Sequence, residues 1–170
     1  MDFKRSFDAN ECKHYLEDQY FVLHCHHYNT LTHRALTATP YIDGKAFIFR
    51  CVRDDFYENL SKVAQNKGLR GNADILKMAQ EFYAYTGLGQ IDLGGLTASG
   101  GTVVSSHSHL ATGYLNKWGP QSAPVDDFGR AFAAAAFAVA FGLNVQQCHA
   151  EQTHCIACGA KECIFRITVS

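Results

Sequence analysis

The sequence predicts an α+β domain in which a mostly antiparallel sheet packs against helices. Three observations support this fold class: helical spacing of apolar residues in the middle of the chain, an alanine-rich helix after residue 126, and alternating apolar residues in several short segments. With 170 residues, of which 47% are hydrophobic and 18% charged, the chain is long enough for one core. We therefore expect a single domain over residues 1–170.

The first fifty residues contain short predicted elements. Strands are indicated where apolar and polar residues alternate, and helices where a capping residue precedes a polar or amphipathic segment. On these grounds we predict a polar helix over 10–18, a strand over 20–27, a helix over 29–36 and a strand over 46–52.

Two helices in the middle of the chain are predicted from periodicity. Asp54 caps a segment that carries apolar residues at i, i+4, i+7 and i+8 from Phe56 and ends before Gly68. Asp74 begins a second apolar stripe that ends before Gly87. Both segments have the pattern of helices that pack one face against a core.

The second half of the chain predicts a hairpin, a buried helix and two final strands. Segments 90–98 and 102–110 flank Ser99-Gly100-Gly101, a short glycine-containing connection that is typical of a tight hairpin. Segment 126–141 is apolar nearly all round, so we expect it to lie beneath other elements, and its alanines would also allow close approach to a second copy of the chain. Segments 143–152 and 163–169 are predicted as strands.

Charge and hydropathy exclude several classes of partner. The formal net charge is −1, which gives no excess of positive charge for nucleic acid or an anionic membrane surface. No apolar segment reaches the ~18 residues that a membrane span requires. Because no signal peptide is recognisable, the predicted location is the cytoplasm, where thiols stay reduced.

Seven cysteines and nine histidines are a high content for a cytoplasmic protein of this size. Cys155-Ile156-Ala157-Cys158-Gly159 has the CxxCG form of a metal knuckle, in which both sulfurs face one ion. Cys148 and Cys163 could complete a four-thiolate site for zinc or an iron–sulfur cluster if their strands pair. The alternative for Cys148 is an ordinary buried apolar side chain.

Two His-x-His pairs form a second candidate site. On strands, His24 with His26 and His107 with His109 would each share a face, and four imidazoles could meet if the strands were neighbours. Such a set suits iron, zinc or another transition metal, and one imidazole could bind heme. The alternative is that these imidazoles are simply hydrogen-bonded on sheet faces. The aromatic residues Tyr114 and Trp118 could line a ligand pocket nearby.

The carboxy-terminal third resembles the 4-vinyl reductase domain family, also called hydrocarbon-binding domains. The resemblance rests on about fifty residues: Trp118-Gly119, Pro124-Val125, the small-residue helix from Phe128 to Ala135, the strand that ends in Glu151, and the motifs Cys155-Ile156-Ala157-Cys158-Gly159 and Cys163-Ile164-Phe165.

The resemblance implies both a fold and a function. It implies an α/β fold related to heme nitric-oxide-binding domains and vesicle-tethering subunits, a homodimer, and a ligand pocket between helices and sheet. Some similar domains are sensors in regulators of aromatic degradation, in which one Cys, one Glu and two further Cys hold zinc. Carried over to this sequence, the implied ligands are Cys155 and Cys163, with Glu151 and Cys148 as candidates for the other two.

The sequence therefore predicts a domain that binds a small, hydrophobic or tetrapyrrole-like molecule and carries a cysteine-rich zinc site. The alternative function is a metalloenzyme, heme or iron–sulfur protein that uses the two histidine pairs. No catalytic residues are assigned, because the sequence contains neither a nucleophile elbow nor a phosphate loop.

Overall fold

The amino-terminal segment forms a small antiparallel sheet. In the computed structural model, which describes residues 1–170, its strands are β1 (Arg5–Asp8), β2 (Lys13–Leu16) and β3 (Gln19–Phe21), in that order across the sheet. Phe3 precedes the sheet and packs against Phe82 with the ring centroids 5.8 Å apart, so this segment is attached to the core at one end.

Three consecutive helices follow this small sheet. They are α1 (His26–Thr37), α2 (Gly44–Asn66) and α3 (Asn72–Tyr85). Asp43 caps α2 by accepting a hydrogen bond from the amide of Ala46 at 3.0 Å, which satisfies one of the free amides at the helix start.

The larger sheet is antiparallel throughout. Its strands are β4 (Gly89–Asp92), β5 (Leu96–Thr97), β6 (Gly100–Ser108), β7 (Cys148–His154) and β8 (Cys163–Val169), in the order β4-β6-β8-β7 with β5 added to β6. Gly100 at the β5–β6 turn lies so close to the carbonyl of Ile167 that a Cβ atom would clash with it, and its φ of 107° favours glycine.

Two further helices complete the chain. Helix α4 (His109–Trp118) begins directly after β6, and Ser108 caps it through the amide of Ala111. Helix α5 (Asp127–Phe141) packs against α2, α3 and β7, and eleven of its fifteen residues are buried. The alanines of α5 are therefore covered by the chain itself, which leaves this face unavailable to a second copy.

The core forms where α5 meets α2, α3 and the larger sheet. Phe132 on α5 is fully buried and contacts Phe56 of α2 and Tyr83 of α3, with ring centroids 4.9 and 4.7 Å apart. Since aromatic side chains bury a large apolar area, this contact ties the middle helices to α5.

The predicted strand over 46–52 is wrong, because these residues form the first two turns of α2. The strand was predicted because Phe47, Phe49 and Cys51 would share one face of it. In the helix, Ile48 and Phe49 are buried whereas Phe47 and Cys51 are exposed. The cap at Asp43 and the burial of Arg53 and Leu60 further along fix one continuous helix.

Two predictions nearer the amino terminus are also wrong. Residues 10–18 contain a turn and β2 in place of a helix, and Asp8 accepts hydrogen bonds from the amides of Asn10 and Glu11 to close that turn. Segment 20–27 is a strand only as far as Phe21, since α1 begins at His26.

Other predictions are confirmed, with changes at their ends. The helices over 29–36, 54–66, from 74 and over 126–141 lie within α1, α2, α3 and α5, and β8 has the predicted bounds. The tight connection near Ser99 is present, although Gly94 and Gly95 interrupt the strand before it and α4 replaces the end of the strand after it. The first part of 143–152 is a short 3₁₀ turn.

The predicted fold class is confirmed: the chain is α+β, with antiparallel sheets packed against helices. No helix combines the length and apolar character that crossing a bilayer requires.

Candidate functional site

The largest cavity is a groove between the small sheet and the helices. It has a volume of about 810 Å³ and is bounded by β1–β3, the segment 22–24, α1, α2 and the end of α3. Apolar side chains such as Leu16, Phe21 and Phe56 form much of its wall, and a few polar groups, among them Asn29 and Asp55, interrupt it. This composition is typical of sites for small organic molecules.

A smaller arm adjoins the groove. This arm has a volume of about 350 Å³ and shares Asn29, Asp55, Phe56 and Leu88 with the main groove, while Phe128 at the start of α5 lines only the arm. Asn29 and Asp55 therefore lie where the two cavities meet, in contact with any ligand that fills both.

His109 lies behind Asn29. Its Nδ1 is 3.3 Å from the carbonyl of Leu88, and its Nε2 is 3.4 Å from the amide nitrogen of Asn29. A carbonyl only accepts, so Nδ1 carries the proton and Nε2 accepts from Asn29. Burial, together with the nearby His26, lowers the pKa of His109, against the effect of the Leu88 hydrogen bond. A neutral imidazole thus orients the Asn29 side chain at the groove.

The structure brings only some of the predicted imidazoles together. His26 and His109 are in edge-to-face contact, with ring centroids 6.2 Å apart, and His24 lines the groove while stacking on Tyr28. His107 is exposed on β6 and hydrogen bonds to Ser106. Since His26 and His109 begin helices, the strand geometry that would have paired the imidazoles is absent.

Tyr114 and Trp118 do not line the groove. Tyr114 is buried, and its hydroxyl lies 2.7 Å from Nδ1 of His33, while Trp118 packs on the Tyr114 ring. Nε2 of His33 lies 2.9 Å from Asp127, whose second oxygen accepts from Arg130 at 2.7 Å. The hydrogen bonds place the proton of His33 on Nε2, because the carboxylate only accepts.

No local sequence pattern indicates this buried polar network. His33 lies in no motif, and Asp127 stands in the first turn of a helix, where carboxylates are common. Burial would raise the pKa of Asp127, but the hydrogen bond from His33 and the charge of Arg130 lower it overall. The network joins α1 and α4 to the start of α5.

Three of the predicted metal ligands are neighbours. Cys155 accepts a hydrogen bond from the Cys163 thiol and others from the backbone amides of Val125, Ala157 and Cys158, and these lower its pKa to about 5 although burial opposes the shift. Cys155 and Cys163 are buried, whereas Cys158 is exposed. These surroundings favour the thiolate form of Cys155 at the CxxCG turn.

Cys148 and Glu151 lie outside this group. Cys148 pairs with Val169, which lies at the opposite end of β8 from Cys163. Cys163 and Val169 are six residues, or about 20 Å, apart along the strand. Glu151 is exposed and forms an ion pair with Arg166. No three His, Cys, Asp or Glu side chains are arranged to hold a metal ion, so the five-residue set is not assembled.

A buried carboxylate adjoins the thiols. One oxygen of Asp126 accepts from the amide of Gly129 at 2.9 Å, and the other has no hydrogen-bond partner. Burial, with a further contribution from the charge of Cys155, raises the pKa of Asp126 to about 6. A buried carboxylate oxygen that lacks a hydrogen-bond partner and lies beside a thiolate is suited to binding a cation.

The groove residues Asn29, Asp55 and Phe56 were not predicted as site residues. Phe56 was recognised only as part of an apolar stripe, and Asn29 as a helix cap. No motif connects them, because the groove forms from segments that are distant in the sequence.

Comparison with solved structures identifies the fold. No protein-family profile and no curated protein sequence matches the chain. The phenol-responsive sensory domain of the transcription activator PoxR, solved with phenol, superposes with a TM-score of 0.79 at 14% identity, over 97% of this chain and 84% of that one. A vinyl-4-reductase family protein from Methanocaldococcus jannaschii gives a TM-score of 0.45 at 13% identity, over 88% and 98%.

The first of these comparisons bears on the resemblance found in the sequence. It shows that the chain shares the fold of the PoxR sensory domain over 97% of its length.

Proposed function

We propose that this chain is a sensory domain that binds a small aromatic molecule in the groove between its small sheet and helices α1–α3. The observation that carries the proposal is the groove itself, about 810 Å³ with apolar walls and few polar groups. Its volume is in the range of sites for drug-sized ligands. The fold shared with a domain that responds to phenol supports the same function.

The polar residues give the groove a means of orienting its ligand. Asn29, held by His109, and Asp55 lie at the junction with the smaller arm and offer hydrogen-bond partners to a ligand hydroxyl or amine. Phe56 and Leu88 beside them provide apolar contacts for a ring. An aromatic ring that carries one polar substituent satisfies both kinds of contact.

Calorimetric titration of the purified chain with phenol tests this function. We expect saturable binding that weakens at least tenfold in Asn29→Phe, because the larger side chain fills the junction. Asn66→Phe, an exposed position at the end of α2 outside the groove, is the matched control and should bind as the wild type does. Equal binding by both variants would place the ligand elsewhere.

We also propose that Cys155, Cys158, Cys163 and Asp126 bind zinc after their side chains move closer together. As they lie, no three of them are arranged to hold an ion. The contacts among the three thiols and the unpartnered oxygen of Asp126 support it, and the metal would supply charge that these side chains otherwise lack. The four residues come from the CxxCG turn, the start of β8 and the start of α5, so the bound ion would fasten these elements together.

Elemental analysis of protein purified without chelators tests the zinc site. We expect about one zinc per chain, lost in Cys155→Ser and retained in Cys148→Ser, because Cys148 lies at the other end of its strand. Zinc that is lost equally in both variants, or absent from the wild type, would contradict the proposed ligand set. The homodimer and the histidine-based alternative function stay predictions.

A further inference from the structure

The carboxylate of Asp55 is the charged group at the junction of the two parts of the groove. It lines both the main groove and the smaller arm. Its side-chain hydrogen bond comes from the amide of Asn59, one helical turn later, at 3.0 Å. No ion pair includes Asp55.

The Asp55 carboxylate is exposed on α2, and no cationic side chain forms an ion pair with it. Partial burial, followed by the charge of Glu58, raises the pKa of Asp55, while Asn59 and Lys62 only partly oppose that rise. The cationic or titratable groups on the other walls are Arg5, His14, Tyr15, His24 and Tyr85, and none of the cationic or imidazole groups lies within ion-pair distance of the carboxylate.

We propose that the groove selects aromatic molecules that carry a protonated amine, whose ammonium group pairs with Asp55 while the ring packs against Phe56 and Leu88. This inference rests on the proposed ligand-binding function and names the ligand class. The Asp55 carboxylate is exposed in the groove, and a ligand that covers it removes water from its charge. Because an unpaired charge is costly to desolvate, a ligand that supplies a positive charge is favoured.

The chemistry distinguishes an amine from a neutral alcohol of the same shape. An ammonium forms a charge-assisted hydrogen bond with a carboxylate and also neutralises it, whereas a hydroxyl donates without neutralising it. Hydrogen bonds that involve charged groups contribute roughly 1.4 kcal/mol more than neutral ones, so the amine should bind about tenfold more tightly.

The first experiment compares 2-phenylethylamine with 2-phenylethanol by calorimetry on the wild-type chain at pH 7. We expect the dissociation constant of the amine to be about tenfold lower. If the alcohol binds as tightly as the amine, the amine preference is wrong and the groove remains an aromatic site. If neither compound nor phenol binds, the proposed function itself fails.

The second experiment assigns the preference to Asp55. Asp55→Asn should remove the difference between amine and alcohol while leaving binding of the alcohol within about twofold, because the amide keeps the shape. Asp54→Asn is the matched control: Asp54 is the neighbouring carboxylate but pairs with Arg53 and Gln146 instead of lining the groove. An amine preference that survives in folded Asp55→Asn would overturn the assignment.

Discussion

Residues 1–47 and the rest of the chain treat apolar side chains in opposite ways. Ten of the twelve large apolar side chains that are exposed lie in residues 1–47, and Tyr41 is 92% exposed. In contrast, α5 is nearly all buried, and Phe132 and Phe137 have no accessible surface. In the first region apolar side chains stay exposed around a groove. In the second region they are buried in a core.

This difference indicates a division of labour. The closed half, residues 48–170, provides a rigid support through dense packing around α5. The open half, residues 1–47, provides walls of the groove. Substitutions in the two halves should therefore have different consequences, mainly for folding in one and mainly for ligand binding in the other.

The largest expected effect comes from Phe132→Ala. Removing this ring leaves a cavity between Phe56 and Tyr83, and such truncations cost about 4 kcal/mol of unfolding free energy. Tyr41→Ala, in the open half, should change it by less than about 0.5 kcal/mol. Urea unfolding measured by circular dichroism gives both values, and equal effects would remove the contrast between the halves.

His33→Ala should have the next largest effect. The substitution leaves the buried Tyr114 hydroxyl and one oxygen of Asp127 without their partner, and we expect a loss of about 3 kcal/mol. His27→Ala is the control, because His27 lies in the same helix but is exposed. If the same urea assay finds the two variants alike, the network does not stabilise the junction of the halves.

The smallest of the three changes in unfolding free energy is expected for Asp127→Asn, and this change should depend on pH. Because the folded protein lowers the pKa of Asp127, its ionised form contributes stability above the ordinary value of 3.8, and that contribution is lost as the pH falls through the folded pKa. The variant should be about 2 kcal/mol less stable at pH 7 and should lose less stability between pH 4 and pH 2. Urea midpoints across this range measure the slope, and parallel curves would contradict the assignment.

The sequence predicts the closed half better than the open half. The stripes in α3 and α5 and the alternation in β8 are local patterns set by burial against one core, so they can be read from single segments. Segment 46–52 also alternates, but its cap lies outside it at Asp43, and the continuous helix depends on packing far along the chain. Helix α4 was missed because its polar start at His109 continues the pattern of the preceding strand.

The candidate site shows the same limit. The CxxCG turn identifies Cys155 and Cys158 locally, and the assignment of Cys163 needs only the pairing of neighbouring strands. Cys148 was included because its strand was expected to pair with that of Cys163 and because the family resemblance allowed it, but the register of β7 with β8 places it at the far end. The groove cannot be predicted in this way, because its walls combine residues 5–29 with residues 55–59 and 85–88, which lie far apart in the sequence.

The strand at the middle of the larger sheet, β8, is the latest of its strands along the chain. Until β8 is synthesised, β6 and β7 have no strand between them, and the edges with which they pair to β8 stay unpaired. Folding of this sheet therefore waits for translation of β8 and depends on contacts between residues far apart in sequence, which is a slow step. A ribosome stalled before β8 would present chaperones with an incomplete sheet.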